Sequence, residues 1–148
     1  MNKIIIYHNP RWGKSRESVK ILENSGQEYE IVDYLNSPPS LTELKSLAGK
    51  MGLRAKDFIR SRESIFKELN LKAYIDDDAT LFKYMSENPK LIERPIVVKD
   101  NKAVLGRPPM KVEELLNLWI HVTVWNKGCY QFIFLFKLEL KLGEDYDQ

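Results

Sequence analysis

The sequence predicts a single α/β domain in which a small mixed sheet carries helices on both faces. A strand, a helix and a second strand follow one another closely at Lys3–Tyr7, Ser15–Asn24 and Tyr29–Tyr34. Strands that are joined through a crossover helix are expected to be parallel. Two later apolar runs, Leu91–Val98 and Ala103–Leu105, are separated by a short polar turn, which predicts an antiparallel hairpin. With 148 residues and 43% hydrophobic side chains, the chain is long enough for one domain with a sizeable core.

Between these two units the sequence predicts a helical insert. Ser40 begins a helix that Gly52 closes, with leucines at helical spacing between them. The acidic run Asp76-Asp77-Asp78 is interpreted as a helix cap rather than as a metal site. Further helices are predicted at Ala55–Ile59, Ser64–Leu69, Asp78–Glu87 and Val112–Leu118. The order βαβ, helical insert, ββ and α is that of thioredoxin-like folds.

Residues 119–148 are interpreted as an atypical C-terminal extension of a domain that spans 1–118. Strand character is predicted at Ile120–Trp125 and at Tyr130–Leu142, with a turn at 126–128 between them. From Phe134 onward apolar and charged side chains alternate, as is typical of a half-buried strand. Cys129 lies in this extension, where we expect a buried and inert thiol.

The composition excludes several classes of function. The net charge of +2, from 23 basic and 21 acidic residues, is too even for a general nucleic-acid or membrane-surface binder. The N-terminal apolar run is too short for a signal peptide, and no early segment approaches the length of a membrane helix. A single cysteine excludes an intramolecular disulfide, and His8 and His121 have no metal-ligand spacing. We therefore expect a cytoplasmic, metal-free protein without a nucleic-acid or membrane partner.

The junction between the first strand and the first helix has the chemistry of an anion or thiol site. A polar loop from His8 to Arg16 opens into a helix near Ser15, which is predicted to cap that helix together with its neighbours. Such a junction points backbone N–H groups and the positive end of the helix dipole at the loop. Both features favour a bound anion and lower the pKa of a thiol. Position 12 instead carries Trp12, whose indole has no nucleophilic atom.

Three arginines occupy positions beside the ends of predicted elements. Arg60 follows an apolar helix end, Arg94 precedes a proline at a strand start, and Arg107 lies in a Gly-Arg-Pro-Pro junction between strand and helix. Planar guanidinium groups bind tetrahedral oxyanions in a bidentate way that lysine does not match. Each arginine taken singly is typical of a surface ion pair. Together with the first loop, the three predict a shared oxyanion cleft.

The same residues carry a resemblance to a known family. The motifs in question are His-Asn-Pro-Arg-x-Gly-Lys-Ser-Arg, Arg60, Arg94-Pro95-Ile96-Val97-Val98 and Gly106-Arg107-Pro108-Pro109. In order and spacing they resemble the glutaredoxin-linked arsenate reductases, over residues 2–118. The resemblance implies a thioredoxin-like domain in which a loop cysteine attacks arsenate, glutathione joins the adduct and glutaredoxin completes reduction to arsenite. It implies no bound cofactor, since glutathione and glutaredoxin act as co-substrates.

The resemblance also implies a role for individual positions. Arg60, Arg94 and Arg107 match the family's oxyanion-binding arginines. His8 matches the histidine that supports the thiolate, and Ser15 matches the hydroxyl residue that hydrogen-bonds near the sulfur. In the same way, Pro95 matches a cis-proline that faces the loop. The nucleophile position is Trp12, and there the match fails.

A tryptophan at this position predicts that the chain does not reduce arsenate, because the reaction needs a thiolate as nucleophile and reductant. Trp12 is compatible with a natural pseudo-enzyme, with a single-base change from a cysteine codon, with a recoded TGA codon, and with an enzyme of another kind. Two further functions compete with the reductase interpretation. One is a regulatory module similar to the Spx regulators, which bind RNA polymerase, and the other is a non-catalytic oxyanion binder.

Overall fold

The fold is organised on a four-stranded mixed sheet with strand order β2-β1-β3-β4. The computed structural model describes residues 3–116, 119–120, 123–126, 129–132 and 136–137. β1 (Ile4–His8) runs parallel to β2 (Tyr29–Asp33) and antiparallel to β3 (Ile96–Lys99), which pairs in a hairpin with β4 (Lys102–Leu105). The predicted parallel βαβ unit and the predicted antiparallel hairpin are both confirmed.

The helices lie where the sequence places the crossover, the insert and the last element. A crossover helix connects β1 to β2, four helices separate β2 from β3, and one helix follows β4. Two 3-10 turns, Leu71–Tyr74 and Pro89–Leu91, flank the last helix of the insert. In chain order the helices are α1 (Gly13–Asn24), α2 (Leu41–Met51), α3 (Ala55–Phe58), α4 (Ser64–Glu68), α5 (Asp78–Glu87) and α6 (Met110–Leu115).

The sheet is buried on both faces because successive strand residues point to opposite sides. Along β3, Ile96 and Val98 belong to the apolar cluster formed with the helical insert, while Val97 belongs to the cluster formed with α1 and α6. Leu22 of α1 and Val112 of α6 are fully buried in that second cluster. Helices therefore cover both faces of the sheet, as expected for a thioredoxin-like fold.

The start of β3 corrects one prediction. The strand expected from Leu91 to Val98 begins only at Ile96, since Leu91 ends a 3-10 turn and Ile92 forms an isolated bridge with Ile59. Pro95, immediately before the strand, has no N–H to donate to a ladder. The chain therefore reaches the sheet only after the proline.

The acidic run before α5 is a helix cap, as predicted. The Asp77 side chain accepts hydrogen bonds from the Thr80 backbone N–H at 3.2 Å and from the Thr80 hydroxyl at 2.6 Å. These hydrogen bonds lower the pKa of Asp77. Asp76 and Asp78 pair with Arg54, which links the start of α5 to the start of α3.

The C-terminal extension contributes two short antiparallel pairs. β5 (Trp119–Ile120) pairs with β8 (Phe136–Lys137), and β6 (Thr123–Asn126) pairs with β7 (Cys129–Phe132). The predicted strand character is thus confirmed at 120, 123–125, 130–132 and 136–137. Asn126, predicted as the start of a turn, instead ends β6, because it pairs with Cys129. The last helix, predicted over Val112–Leu118, begins earlier at Met110 and ends at Leu115, with Leu116 as its C-cap. The rest of the predicted turn at 127–128, the alternation over 138–142 and the environment of the Cys129 thiol lie outside what the structure describes. The boundary between 1–118 and 119–148 stays a prediction.

Replacing Ser40 with alanine is expected to destabilise the protein by about 1 kcal/mol. The Ser40 hydroxyl accepts the Glu43 N–H at 3.2 Å, and the Glu43 carboxylate accepts the Ser40 N–H at 2.7 Å, which forms a capping box at the start of α2. Urea unfolding measures the loss. Ser37→Ala, on an exposed side chain in the same turn, is the matched control. An equal effect of the two changes would contradict the capping role.

Candidate functional site

The first loop places Trp12 directly at the start of α1. Trp12 is the N-cap residue, but its side chain makes no capping hydrogen bond. Its backbone N–H donates to the Asn9 carbonyl at 3.2 Å, and the Arg11 N–H donates to the Asn9 side-chain oxygen at 3.1 Å. Asn9 is buried, whereas the Trp12 side chain is 45% exposed. Hydrogen bonds to the buried Asn9 therefore fix the loop, while nearly half of the Trp12 surface is exposed to solvent.

Ser15 connects the helix to the end of β1, and its predicted role as helix cap is wrong. α1 begins at Gly13, so Ser15 lies inside the first turn and is fully buried. Its hydroxyl accepts the Asn9 N–H at 3.0 Å and shares a 2.7 Å hydrogen bond with His8 Nδ1. The Ser15 hydroxyl bonds to the loop instead of capping the helix, because the buried Asn9 N–H needs a hydrogen-bond acceptor. His8 and Ser15 are thus brought together, while their roles toward a ligand stay predictions.

The His8 imidazole favours its neutral form. Removal from water lowers the pKa of His8 below its ordinary value of 6.5, opposed by the Ser15 hydrogen bond and by Asp33, while Arg16 lowers it further. A group whose pKa is lower in the folded state stabilises the fold above its unfolded pKa. The stability that His8 contributes is therefore lost as the pH falls from its unfolded pKa, about 6.5, through its lower pKa in the folded protein.

Acidification is therefore expected to destabilise the natural chain more than a His8→Gln variant. Thermal unfolding of both proteins between pH 7 and pH 5 measures the difference. As the pH falls, the melting temperature of the natural chain should decrease more than that of the variant. Carboxylate titration is common to both chains and cancels in the comparison. Melting temperatures that fall in parallel would contradict a lowered His8 pKa.

Arg94 carries a buried charge against the Trp12 ring. Its side chain is 4% exposed, and its guanidinium carbon lies 4.4 Å from the centre of the indole. One terminal nitrogen donates to the Tyr34 hydroxyl at 3.1 Å, whereas the buried Nε has no hydrogen-bond partner in the described part of the chain. No carboxylate among the described residues pairs with this guanidinium. A buried charge left in this state is costly and is normally compensated by an opposite charge.

Arg60 and Arg107 meet at a carboxylate, Glu93, that directly precedes Arg94. A Glu93 oxygen lies 3.8 Å from a terminal nitrogen of Arg60 and 3.7 Å from one of Arg107. Arg60 is also held by Glu63, with Nε donating at 2.8 Å, and its guanidinium carbon lies 5.6 Å from the Trp12 ring centre. The structure therefore places Arg60 and Arg94 beside Trp12, and it links Arg107 to Arg60 through Glu93.

Three neighbours of the arginines were missed by the sequence reasoning. Glu93 is adjacent to Arg94 in the chain, and Glu63 is three residues after Arg60, so a search for acidic residues next to each arginine would have found both. Tyr34, at the end of β2, gives no local signal. Pro95 follows the buried Arg94, and the Arg94–Pro95 peptide bond is cis, while the proline's proposed role toward the loop stays a prediction.

A cavity of about 330 Å³ opens beside Trp12. Its lining combines basic side chains with one apolar and one acidic neighbour, and consists of Asn9, Arg11, Trp12, Leu35, Glu63, Lys90 and Arg94. Across the described ranges, no three His, Cys, Asp or Glu side chains are placed to hold a metal ion. Within those same ranges, none of the helices has the length and apolar character that crossing a membrane requires.

The fold and the arginine site define a class of protein, and comparison with known proteins assigns the family. The class is a thioredoxin-like α/β domain in which Arg60 and Arg94 lie beside the loop residue that precedes the first helix. The chain belongs to the ArsC family, whose model matches residues 7–115. The resemblance inferred from the motifs is thereby confirmed at the level of the family.

Relatives and solved structures of this family cover most of the chain. An arsenate reductase of Haemophilus influenzae is 45% identical over 114 residues, which are 76% of this chain and 98% of the relative. The Escherichia coli protein YfgD is 43% identical over 115 residues, covering 77% and 97% of the two chains. The structure of an arsenate reductase from Vibrio cholerae matches with a TM-score of 0.73 at 46% identity, over 76% of this chain and 97% of that one.

Proposed function

We propose that this chain binds a tetrahedral oxyanion of the arsenate type at Arg60, Arg94 and Arg107, and that it does not reduce it. The family includes relatives named arsenate reductase, which supports this class of ligand. The absence of a thiol from position 12 is the reason for expecting binding without reduction. The chain is on this proposal a family member that keeps the anion site and lacks the nucleophile.

The observation that carries the proposal is the state of Arg94. This guanidinium is almost fully buried, has no ion-pair partner among the described residues and keeps an unpartnered Nε. An oxyanion that accepts hydrogen bonds from Arg94 would supply the missing charge and satisfy the free N–H. Guanidinium groups offer five N–H donors in a rigid fork, so a tetrahedral anion can be held in a defined orientation.

The indole competes with the anion for Arg94. A cation–π contact of this kind is worth about 0.5–2 kcal/mol, depending on how far it is desolvated. Charge-assisted hydrogen bonds to an oxyanion are of similar or greater strength, about 1.5–3 kcal/mol each. We therefore propose that Trp12 weakens anion binding without abolishing it.

Reduction fails on this proposal because nothing at the loop can form the arsenic–sulfur bond. Converting arsenate to arsenite transfers two electrons to arsenic, and in the family's reaction thiols supply them. Indole nitrogen is a donor only, and neither imidazole nor a serine hydroxyl reduces arsenate. The single cysteine of the chain is Cys129, over a hundred residues away from Trp12 in the sequence. Glutathione and glutaredoxin are co-substrates in the family, and we propose that they have no adduct to resolve here.

We also propose a cytoplasmic location for the protein. A chain with one cysteine cannot form an intramolecular disulfide, and the thiol-dependent chemistry of the family operates in a reducing compartment.

Isothermal titration calorimetry with arsenate tests the binding half of the proposal. The natural chain is expected to bind arsenate, and Arg94→Met, which keeps the apolar stem and removes the charge, is expected to lose at least tenfold in affinity. Arg62→Met removes the same charge from an exposed side chain nearby and is the matched control. Circular dichroism confirms that each variant is folded. No heat of binding with the natural chain, or equal losses in the two variants, would refute the anion site.

A further inference from the structure

We propose that Glu93 is the specificity-determining residue of this site: its carboxylate accepts a hydrogen bond from a hydroxyl of a protonated oxyanion. The site would on this basis take arsenate- and phosphate-type anions, which keep a proton at neutral pH, and reject sulfate, which has none. This inference rests on the proposed function, since it assumes that the three arginines bind an oxyanion. It adds the chemical class of oxyanion that they accept.

Glu93 lies between two of the arginines that would share an anion, and so beside the place where that anion would bind. One oxygen of Glu93 lies 3.8 Å from Arg60 and 3.7 Å from Arg107, and 3.4 Å from the backbone N–H of Arg94. Arg60 and Arg94 in turn lie within 6 Å of the same indole ring, at 5.6 and 4.4 Å. Any anion that contacts Arg60 and Arg107 together is therefore also close to the Glu93 carboxylate.

The carboxylate of Glu93 keeps unused capacity to accept hydrogen bonds. An ionised carboxylate has about four acceptor sites. Separations of 3.7 and 3.8 Å to the two guanidinium groups exceed ordinary hydrogen-bond length, and among the described residues only the backbone nitrogen of Arg94 comes within 3.5 Å. Glu63 is held more tightly to its arginine, because its Oε1 makes two short contacts with Arg60 at 2.7 and 2.8 Å.

Two anionic groups can share a site only when a proton lies between them. A carboxylate is an acceptor without a hydrogen to donate, so sulfate beside Glu93 would place two acceptors and two like charges together. Phosphate or arsenate carries at least one hydroxyl, which can donate to Glu93 while the remaining oxygens face the arginines. The same carboxylate that repels sulfate thus binds the protonated anion.

The charges around the site are consistent with this selectivity. Glu63 pairs with Arg60, and Glu93 pairs with Arg60 and Arg107, whereas Arg94 pairs with no carboxylate of the described residues. The three arginines and two carboxylates together therefore carry a smaller positive excess than the arginines alone. A smaller positive excess disfavours highly charged anions. Orientation of the hydrogen-bonding groups then decides between anions of similar size and shape.

Calorimetry with inorganic phosphate and inorganic sulfate, at pH 7 and constant ionic strength, tests the inference. The natural chain is expected to bind phosphate at least tenfold more tightly than sulfate. Glu93→Gln has the same shape but can turn an amide N–H₂ toward sulfate, so we expect sulfate affinity to rise at least tenfold and the preference for phosphate to disappear. Glu63→Gln removes the same charge from a carboxylate whose Oε1 is already engaged by Arg60 at 2.7 and 2.8 Å. This control should strengthen both anions alike and leave their ratio unchanged.

The same titrations are made in a Trp12→Ala background, where the indole no longer covers Arg94. If neither background binds phosphate, sulfate or arsenate, both the proposed oxyanion site and the proposed role of Glu93 are refuted. If anions bind but phosphate and sulfate bind equally, or if Glu93→Gln and Glu63→Gln change the ratio to the same extent, the role of Glu93 alone is refuted.

Discussion

Replacing Trp12 with cysteine is expected to raise arsenate reduction from background to at least about 10³-fold above the natural chain, since removal of a covalent nucleophile costs that much or more in enzymes. The new thiol would lie at the N-terminus of the twelve-residue helix α1. Free backbone N–H groups and the positive helix end at that position lower the pKa of a thiol and favour the reactive thiolate. The measurement is NADPH oxidation coupled to glutathione and glutaredoxin.

Two further variants separate the thiol from other effects of removing an indole. Trp12→Ser opens the cavity to the same extent without supplying sulfur, and we expect it to stay at background. Trp12→Cys combined with Arg94→Met keeps the thiol and removes the buried charge, so its activity should fall well below that of Trp12→Cys alone. Turnover by the natural chain would contradict its proposed inactivity. A folded Trp12→Cys protein without activity would show that the arginines are not positioned for the reaction.

Replacing Gly106 with alanine is expected to destabilise the protein by about 1–3 kcal/mol, in the range typical of overpacked cores. An ideal Cβ at this position would lie 2.6 Å from the Ser18 hydroxyl and 2.7 Å from Cγ of Pro95, both shorter than ordinary contacts. It would also come within 3.3 Å of Val112. The Gly106 N–H donates to the Pro95 carbonyl at 2.8 Å, which holds the backbone in place and limits its retreat.

Gly49→Ala is the matched control for this change. Gly49 lies in α2, and a Cβ built there meets nothing within 4 Å, so the added methyl group should raise stability by about 0.5–1 kcal/mol through helix propensity. Urea unfolding of both variants measures opposite signs. Loss of stability in Gly49→Ala, or none in Gly106→Ala, would contradict the close approach of α1, α6 and Pro95 at Gly106.

Local patterns in the sequence predicted the elements with strong signals. The start of α2 at Ser40, its end at Gly52 and the antiparallel hairpin of β3 and β4 were predicted because each depends on neighbours in the chain. The start of β3 was misplaced because apolar side chains at 91 and 92 resemble a strand while they fill a 3-10 turn and an isolated bridge. Ser15 was misassigned as a cap because serine near a helix start serves that role more often than it serves a buried loop N–H.

The sequence alone determined the order of the elements, the family motifs and the absence of a thiol from the loop, because each of these depends on residue identity and short spacing. Only the tertiary structure decided how the charges are arranged. Arg94 donates to Tyr34 across 60 residues and stacks on Trp12, and Glu93 bridges Arg60 and Arg107. Such contacts are set by how β3 and the helical insert pack together and have no local periodicity. The physical state of the site is therefore visible only in the folded chain: a buried guanidinium lies beside an indole and pairs with no carboxylate of the described residues.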